Sequence, residues 1–333
     1  MTSNYSKSAI ALIAIGRNEG QRLLDCIKSC IHCVDKVIYV DSGSNDGSVD
    51  NASLLGAEVI SLDMTLPFTA ARARNAGLAW VQNHMPDIEY IQFVDGDCYV
   101  DEQWIETGYS FLCQNHDYAV VCGRRKEKYP EHSLYNKLCD IEWNSPIGDA
   151  KNCGGDALYR ITALQEVYGF NPNLIAGEEP DLCFRMRKQG WKVFRYDAPM
   201  TYHDADMTRF SQWWKRATRS GHAYAEGMYL HGRSPERYYV KDSISIWIWG
   251  FIIPLLITGL VFSVSWYCFL LVLLYPLQVY KIMRYQHKRG YTWQDSLLYS
   301  SFCVLGKFAQ LTGQLKFFWG VVTGKRTKLI EYK

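Results

Sequence analysis

Asp95 and Asp97, separated by Gly96, follow directly on the apolar run Ile91-Gln92-Phe93-Val94. Two carboxylates where a buried strand leaves its sheet can face one point, with glycine allowing a tight turn, and their hard oxygens suit Mg2+ or Mn2+ bound together with substrate phosphates. An Asp-Gly strand-end turn uses the same residues. A second acidic group, Glu178-Glu179-Pro180-Asp181, precedes a segment with Leu182, Phe184, Met186 and Arg187. It lies at the positively polarised start of a helix, a position for a general base or for simple capping. Asp41 closes the run from Val37 to Val40 and opens Asp41-Ser42-Gly43-Ser44-Asn45-Asp46-Gly47-Ser48. Its carboxylate can accept from a ribose hydroxyl or a base N-H, or close an Asx turn. Arg72, Arg74 and Asn75 sit near the start of the next helix and suit a phosphate or nucleobase edge, exposed helix arginines being the plain alternative.

These groups need several strand ends in one place. Ala9 to Ile15 is a continuous apolar run of strand length, followed by Gly16-Arg17-Asn18-Glu19-Gly20 and a helix pattern of Leu23, Leu24, Ile27, Ile31 and Val34. Val37 to Val40 and Ala57 to Ser61 repeat the strand pattern, and a helix from about Thr69 to Asn83 leads to the strand ending at Asp95. Strands alternating with helices predict an α/β fold with a mostly parallel sheet. The glycines near Asp41 do not follow the first strand, which excludes a dinucleotide-binding fingerprint. Cys26, Cys30 and Cys33 share a helical face with Ile27, Ile31 and Val34, which predicts core sulfurs rather than a metal or redox centre.

With 333 residues the chain has room for one large α/β domain and an appendage, and a net charge of +2 gives no nucleic-acid surface. Eleven cysteines, scattered through strand-like and helix-like segments, favour a reducing compartment, and the polar stretch Met1 to Ser8 has no cleavable leader pattern. Both point to the cytoplasm.

In order along the chain, IALIAIGRNEG, VIYVDSGSNDGS, LPFTAARARNAG, IQFVDGDC, CGGDALYR and AGEEPDLCFRMRKQGW resemble the motifs of family 2 glycosyltransferases of the GT-A fold, over about Ala9 to Gly232. The resemblance implies a Rossmann-like sheet, a nucleotide-diphosphate sugar donor (UDP-linked by expectation), a divalent cation, Mn2+ or Mg2+, at the D-x-D motif, and transfer with inversion. By it, Asp41 reads the base or ribose, Asp95 the ribose or metal, and Asp97 the metal. Arg17, Asn18 and Glu19, together with Arg72, Arg74 and Asn75, fall on the donor side. Most members carry Glu-Asp where this chain has Glu178-Glu179, and the base is usually the second of the pair. The role therefore goes to Glu179, with Glu178 and Asp181 as the other candidates. Gly154-Gly155-Asp156 resembles the segment that closes around donor sugar and acceptor, with Asp156 reaching a sugar hydroxyl or serving a turn. His203 either completes the metal shell, as in related GT-A enzymes, or is a structural histidine. Gln212-Trp213-Trp214-Lys215-Arg216 is loosely similar to the Q-x-x-R-W element of processive synthases, where Trp lines the acceptor site and Arg approaches the diphosphate. An amphipathic helix with packed indoles is the other reading of Trp213, Trp214 and Arg216.

From Ile244 to Phe262 and from Trp266 to Met283 the chain is almost free of charge, each stretch about the length of a membrane-spanning helix, with Ser263-Val264-Ser265 between them. Arg233, Arg237 and Lys241 before, and Lys281, Arg284, Lys288 and Arg289 after, predict that both outer ends face the cytoplasm. From Leu297 to Gly324, Val304, Phe308, Leu311, Leu315, Phe318 and Val322 repeat at alternating spacings of four and three, with Gly306, Gln310 and Gly313 on another side, which reads as an interfacial amphipathic helix, Lys307, Lys316, Lys325, Arg326 and Lys328 meeting anionic headgroups, or as a helix packed on the catalytic domain. The expected division is a GT-A catalytic domain over 1-240, a transmembrane hairpin over 241-285, and an interfacial helix with basic tail over 286-333. The expected function is sugar transfer to a lipid-linked or membrane-associated acceptor in surface-polysaccharide assembly at the inner membrane, catalytic domain in the cytoplasm. A processive synthase and a non-catalytic nucleotide-sugar-binding scaffold are the alternatives.

Overall fold

The computed structural model describes residues 6-325, so Arg326 and Lys328 of the expected basic tail lie outside it. Contacts divide the chain into two units. Met1–His132 with Glu142–Asp206 form the first, and Ser133–Ile141 with Met207–Lys333 the second.

In the first unit, strand β1 (Ile10–Gly16) is buried along both faces, as an uninterrupted apolar run requires. Helix α1 (Gln21–Cys30) lays Leu23, Cys26, Ile27 and Cys30 against the sheet, so the sulfurs expected in the core are there, with Cys33 half-buried. Then follow β2 (Lys36–Asp41), α2 (Ser48–Leu54), β3 (Glu58–Ser61), α3 (Ala70–His84) and β4 (Tyr90–Asp95). The α3 N-terminus is capped by the Thr69 hydroxyl, which accepts from Arg72 N at 3.2 Å. Beyond β4 come β5 (Cys98–Val100), α4 (Trp104–Gln114), β6 (Tyr118–Glu127), α5 (Leu134–Trp143), whose residues 134–141 group with the second unit, β7 (Gly148–Asp149), β8 (Ala157–Arg160), α6 (Ile161–Glu166), α7 (Glu178–Lys188) and β9 (Lys192–His203).

The sheet runs β3-β2-β1-β4-β8-β6-β9-β5, with β7 paired to β9. It is parallel from β3 to β4, as strand-helix alternation predicts, but β8 enters antiparallel to both β4 and β6. The sheet is therefore mixed. Chain alternation breaks where β4 turns through Gly96 straight into β5 without a crossover helix, and β5 pairs antiparallel with β9. The turn places Asp97 and Cys98 opposite His203, the register partner of Cys98.

The second unit is helical: α8 (Phe210–His231), α9 (Val240–Trp247), a π-helical turn at Ile248–Ile252, α10 (Ile253–Ser263), a 3-10 stretch at Trp266–Leu273, α11 (Leu274–Lys288) and α12 (Trp293–Thr323). Val240–Ser263 and Trp266–Lys288 are long and apolar enough to cross a membrane. The π turn comes just before Pro254, which lies in the first turn of α10.

The expected boundary at 240 falls elsewhere in space, since α8 groups with the C-terminal helices. The α12 face that meets α8 is the glycine side, with Gly306, Gly313 and Phe317 buried. A methyl on Gly313 would overlap the Thr218 carbonyl oxygen, and one on Gly221 the Gln310 carbonyl oxygen, so α8 and α12 touch backbone to backbone. Along α12, Val304 and Leu311 are buried, Phe308 and Phe318 are half-buried, and Leu315 and Val322 are exposed. The helix is thus packed along one side and exposed along the other.

Candidate active site

At the end of β4 both Asp95 oxygens are taken by guanidinium groups. Arg74 Nη2 is 2.9 Å from Asp95 Oδ1, and Arg125 Nη2 is 3.2 Å from Oδ2. Burial acts to raise the Asp95 pKa, and Arg74 and Arg125 together overcome it, holding the carboxyl below the usual range. The backbone N-H of Asp95 donates to Asp156 Oδ1 at 3.1 Å.

Asp156 is 1% exposed and engaged on every side. Besides Asp95 N, it accepts from Thr201 Oγ1 of β9 at 2.7 Å, and Arg125 Nη1 stands 3.4 Å from its Oδ2. Its expected reach to a sugar hydroxyl gives way to a framework role, tying β4 to β9. Gly155 beside it is glycine for space, because a methyl there would stand 2.9 Å from Arg74 Nη2. Gly154 is glycine for conformation, with φ +86° and open surroundings.

Asp97 turns the other way. Its Oδ2 lies 3.3 Å from His203 Nε2, both side chains are nearly buried, and Cys98 stands beside them. Gly96 permits the turn by close packing: its N-H donates to the Ile15 carbonyl at 2.8 Å, and a methyl would come within 3.1 Å of that oxygen. A carboxylate and an imidazole converging from two strands form a donor pair that suits a hard or borderline divalent cation, so Asp97 and His203 fit the expected metal, while Asp95 stands neutralised by its arginines.

The acids on α7 part company. Glu178 Oε1 accepts from Arg74 Nη1 at 2.9 Å, so one guanidinium joins it to Asp95. Asp181 Oδ2 accepts from Arg185 Nε at 2.8 Å. Glu179 is 5% exposed. Its Oε1 accepts from Cys153 N at 2.7 Å, with Cys153 Sγ at 3.2 Å and Cys183 Sγ at 3.0 Å. Burial pushes its pKa up, against hydrogen bonds from Cys153 and Cys183 that pull it down.

The donor-side residues of the sequence reading divide between open and committed groups. Asp41 forms the Asx-type turn, accepting from Gly43 N and Ser44 N at 2.9 Å each and from Tyr39 OH at 2.8 Å. Asn18, at φ +54°, zips the loops after β1 and β2 together, its N-H donating to Ser44 Oγ and its Oδ1 accepting from Asn45 N, both at 2.8 Å. Glu19 pairs with Arg22 at 2.8 Å, and Arg17 is exposed. Arg72 donates to the carbonyls of Asp63, Leu66 and Pro67, bracing that loop. Asn75 clamps the Phe170 backbone, Nδ2 to O at 2.7 Å and N to Oδ1 at 2.9 Å. In the second unit Trp213 is buried edge-on against Phe302 at 4.8 Å, while Trp214 and Arg216 are half-buried.

Arg125 and Trp143 escaped the sequence reading. Arg125 stacks over Trp143 at 4.9 Å, and the same indole meets His203 edge-on at 5.0 Å. The signal for Arg125 was present: a run of apolar residues, Ala119 to Cys122, is followed by Gly123-Arg124-Arg125, charge after an apolar run as at Asp95. Trp143, the last residue of α5, carried none.

Residues 12–162 match the model of the family described as glycosyl transferase family 2. The O-antigen chain rhamnosyltransferase RfbN of Salmonella typhimurium is 27% identical over 202 residues, 55% of this chain and 62% of that protein, so the match spans less than two thirds of that relative's length. Among solved structures, a mannosyltransferase from Pyrobaculum calidifontis in complex with GDP-Man and Mn2+ shares the fold, with TM-score 0.64 at 14% identity, covering 93% of this chain and 87% of that one.

Proposed function

We propose that this chain, which belongs to glycosyl transferase family 2 through residues 12–162, moves a sugar from a nucleotide-diphosphate donor to a lipid-linked or membrane-associated acceptor, inverting its anomeric carbon, in polysaccharide assembly of the O-antigen type. The observation that carries the reading is the pairing of Asp97 with His203 at 3.3 Å, next to an Asp95 already neutralised by Arg74 and Arg125.

In this reading Asp97 and His203 hold the divalent cation, with Mn2+ favoured by the complex of the Pyrobaculum mannosyltransferase. Bound there, the cation supplies Lewis-acid stabilisation of the leaving diphosphate. Asp41 and its turn line the nucleotide end of the strand edge. Glu179 takes the proton of the acceptor hydroxyl as its oxygen bonds to the anomeric carbon and the bond to the diphosphate breaks. It is the acid suited to this, because Glu178 and Asp181 are each ion-paired to an arginine, which weakens a base, while Glu179 is buried among thiols and its pKa is raised.

The apolar helices Val240–Ser263 and Trp266–Lys288 support anchoring in the membrane, and the lysines and arginines at their outer ends favour a cytoplasmic catalytic unit. Membrane lipids then surround this hairpin, and the inner membrane is the proposed location.

The test is sugar transfer by detergent-purified protein with a panel of nucleotide sugars and membrane-lipid acceptors, with and without Mn2+. Cation-dependent release of nucleoside diphosphate coupled to a lengthened acceptor supports the proposal. Donor binding with no turnover on any acceptor overturns it in favour of a binding scaffold, and a ladder of long products indicates a processive synthase.

A further inference from the structure

Cys153, Glu179 and Cys183 bring two sulfurs and a carboxylate oxygen into one small triangle. The sulfurs are 3.6 Å apart, and Glu179 Oε1 lies 3.2 Å from Cys153 Sγ and 3.0 Å from Cys183 Sγ. Glu179 and Cys183 are one helical turn apart on α7, and Cys153 comes from the loop before β8. A tetrahedral ion with bonds of about 2.3 Å to sulfur and about 2.0 Å to oxygen separates two sulfur ligands by roughly 3.8 Å and a sulfur from an oxygen by roughly 3.5 Å. The side chains stand within about half an ångström of that spacing. A disulfide, at about 2.05 Å, would instead need the sulfurs to close by well over an ångström. Cys153 is a half-buried residue, and its neighbour Gly154 has nothing within 4 Å of the position a methyl would take.

We propose that Cys153, Cys183 and Glu179 form a second cation site, selective for a thiophilic divalent ion such as Zn2+, distinct in chemistry from the Asp97 and His203 pair. Two soft thiolates with one carboxylate favour Zn2+ or Cd2+ over Mg2+ and Mn2+. Binding is balanced by release of the two thiol protons to solvent, with formation of two metal-sulfur bonds and one metal-oxygen bond and no change of oxidation state. Occupancy ties up the Glu179 carboxylate, so the ion inhibits transfer. That consequence rests on Glu179 being the base, while the site itself does not.

Cd2+ is the probe, read by its ultraviolet thiolate charge-transfer absorbance on the full-length protein in detergent, beside the melting temperature and the transfer rate. Wild type is compared with Cys153→Ser and Cys183→Ser as separate variants, so that each controls for a folding defect in the other. The expected result is a charge-transfer increment and a Cd2+-induced rise in melting temperature in wild type, both lost in each variant that still melts cooperatively. The Cd2+ concentration for half inhibition should rise at least about tenfold. An increment of undiminished size in both variants, from the other nine cysteines, overturns the site. If the increment and the melting shift depend on Cys153 and Cys183 but saturating Cd2+ leaves transfer unchanged, the site stands and Glu179 is not the base.

Discussion

Arg125 donates from Nη2 to Asp95 Oδ2 at 3.2 Å, from a strand that lies two positions away from β4 in the sheet. The reach crosses β8, and β6 carries a register shift between Arg124 and Arg125. With Nη1 near Asp156 Oδ2 at 3.4 Å, a single cation compensates the buried Asp156 and the half-buried Asp95.

Arg125→Met should therefore cost about 3–5 kcal/mol, the usual penalty for stranding buried charge. Denaturant unfolding measures it. A loss below about 1 kcal/mol, the size of an exposed pair, would show that Arg74 alone compensates Asp95.

Asp95 also sets an acid limit. Because its folded pKa is depressed below the unfolded value of about 3.9, its stabilisation is complete above that value and is lost as the pH falls through the folded pKa. Wild-type stability should fall as the pH drops below about 4. In Arg125→Met that slope should be shallower, since the shift has lost one of its causes. Equal slopes in urea titrations across this range would assign the acid limit to other carboxylates.

Glu179 has the opposite sign. Its folded pKa is raised from the ordinary 4.5, so the ionised form is disfavoured by folding at neutral pH, and stability returns as the pH falls through the raised value toward 4.5. Glu179→Gln removes that burden. The variant should melt no lower than wild type at pH 7 yet turn over roughly a hundredfold more slowly or worse, with donor affinity kept. A variant that unfolds early and loses donor affinity would reassign Glu179 to structure.

Strand ends were legible where an apolar run stopped at charge. The run from Ile91 to Val94 led to Asp95 and Asp97, and the Glu178 to Asp181 cluster led to α7, because burial period and polar punctuation are local signals. Partnership was not legible. Nothing near Asp95 in sequence says that Arg74 and Arg125 neutralise it, or that Asp156, 61 residues away, receives its N-H, since these are contacts made by sheet order. The antiparallel entry of β8 was hidden for the same reason. The close approach of α8 to Gly313 of α12 was hidden likewise.

Asp97 and His203 are predicted to govern cation dependence together. His203→Ala should weaken Mn2+-dependent donor binding by roughly 10–100-fold, and Asp97→Ala by at least as much. Donor binding measured calorimetrically in EDTA should change little in either variant. If His203→Ala leaves the Mn2+ dependence intact, the histidine is a packing partner of Trp143 and Asp97 alone serves the cation.

Gly313 admits the Thr218 backbone and Gly221 admits that of Gln310, so the seam between α8 and α12 has no room for a side chain at either position. Close backbone approach through small residues is how helices associate where lipid removes the hydrophobic drive between them. Gly313→Leu should force the helices apart and cost about 1–3 kcal/mol or more by overpacking, seen as a lower melting temperature in detergent. Gly259→Ala is the control, on α10 with nothing within 4 Å of the added methyl. It should leave the melting temperature unchanged, and equal losses in the two variants would show that the seam is not what holds the unit together.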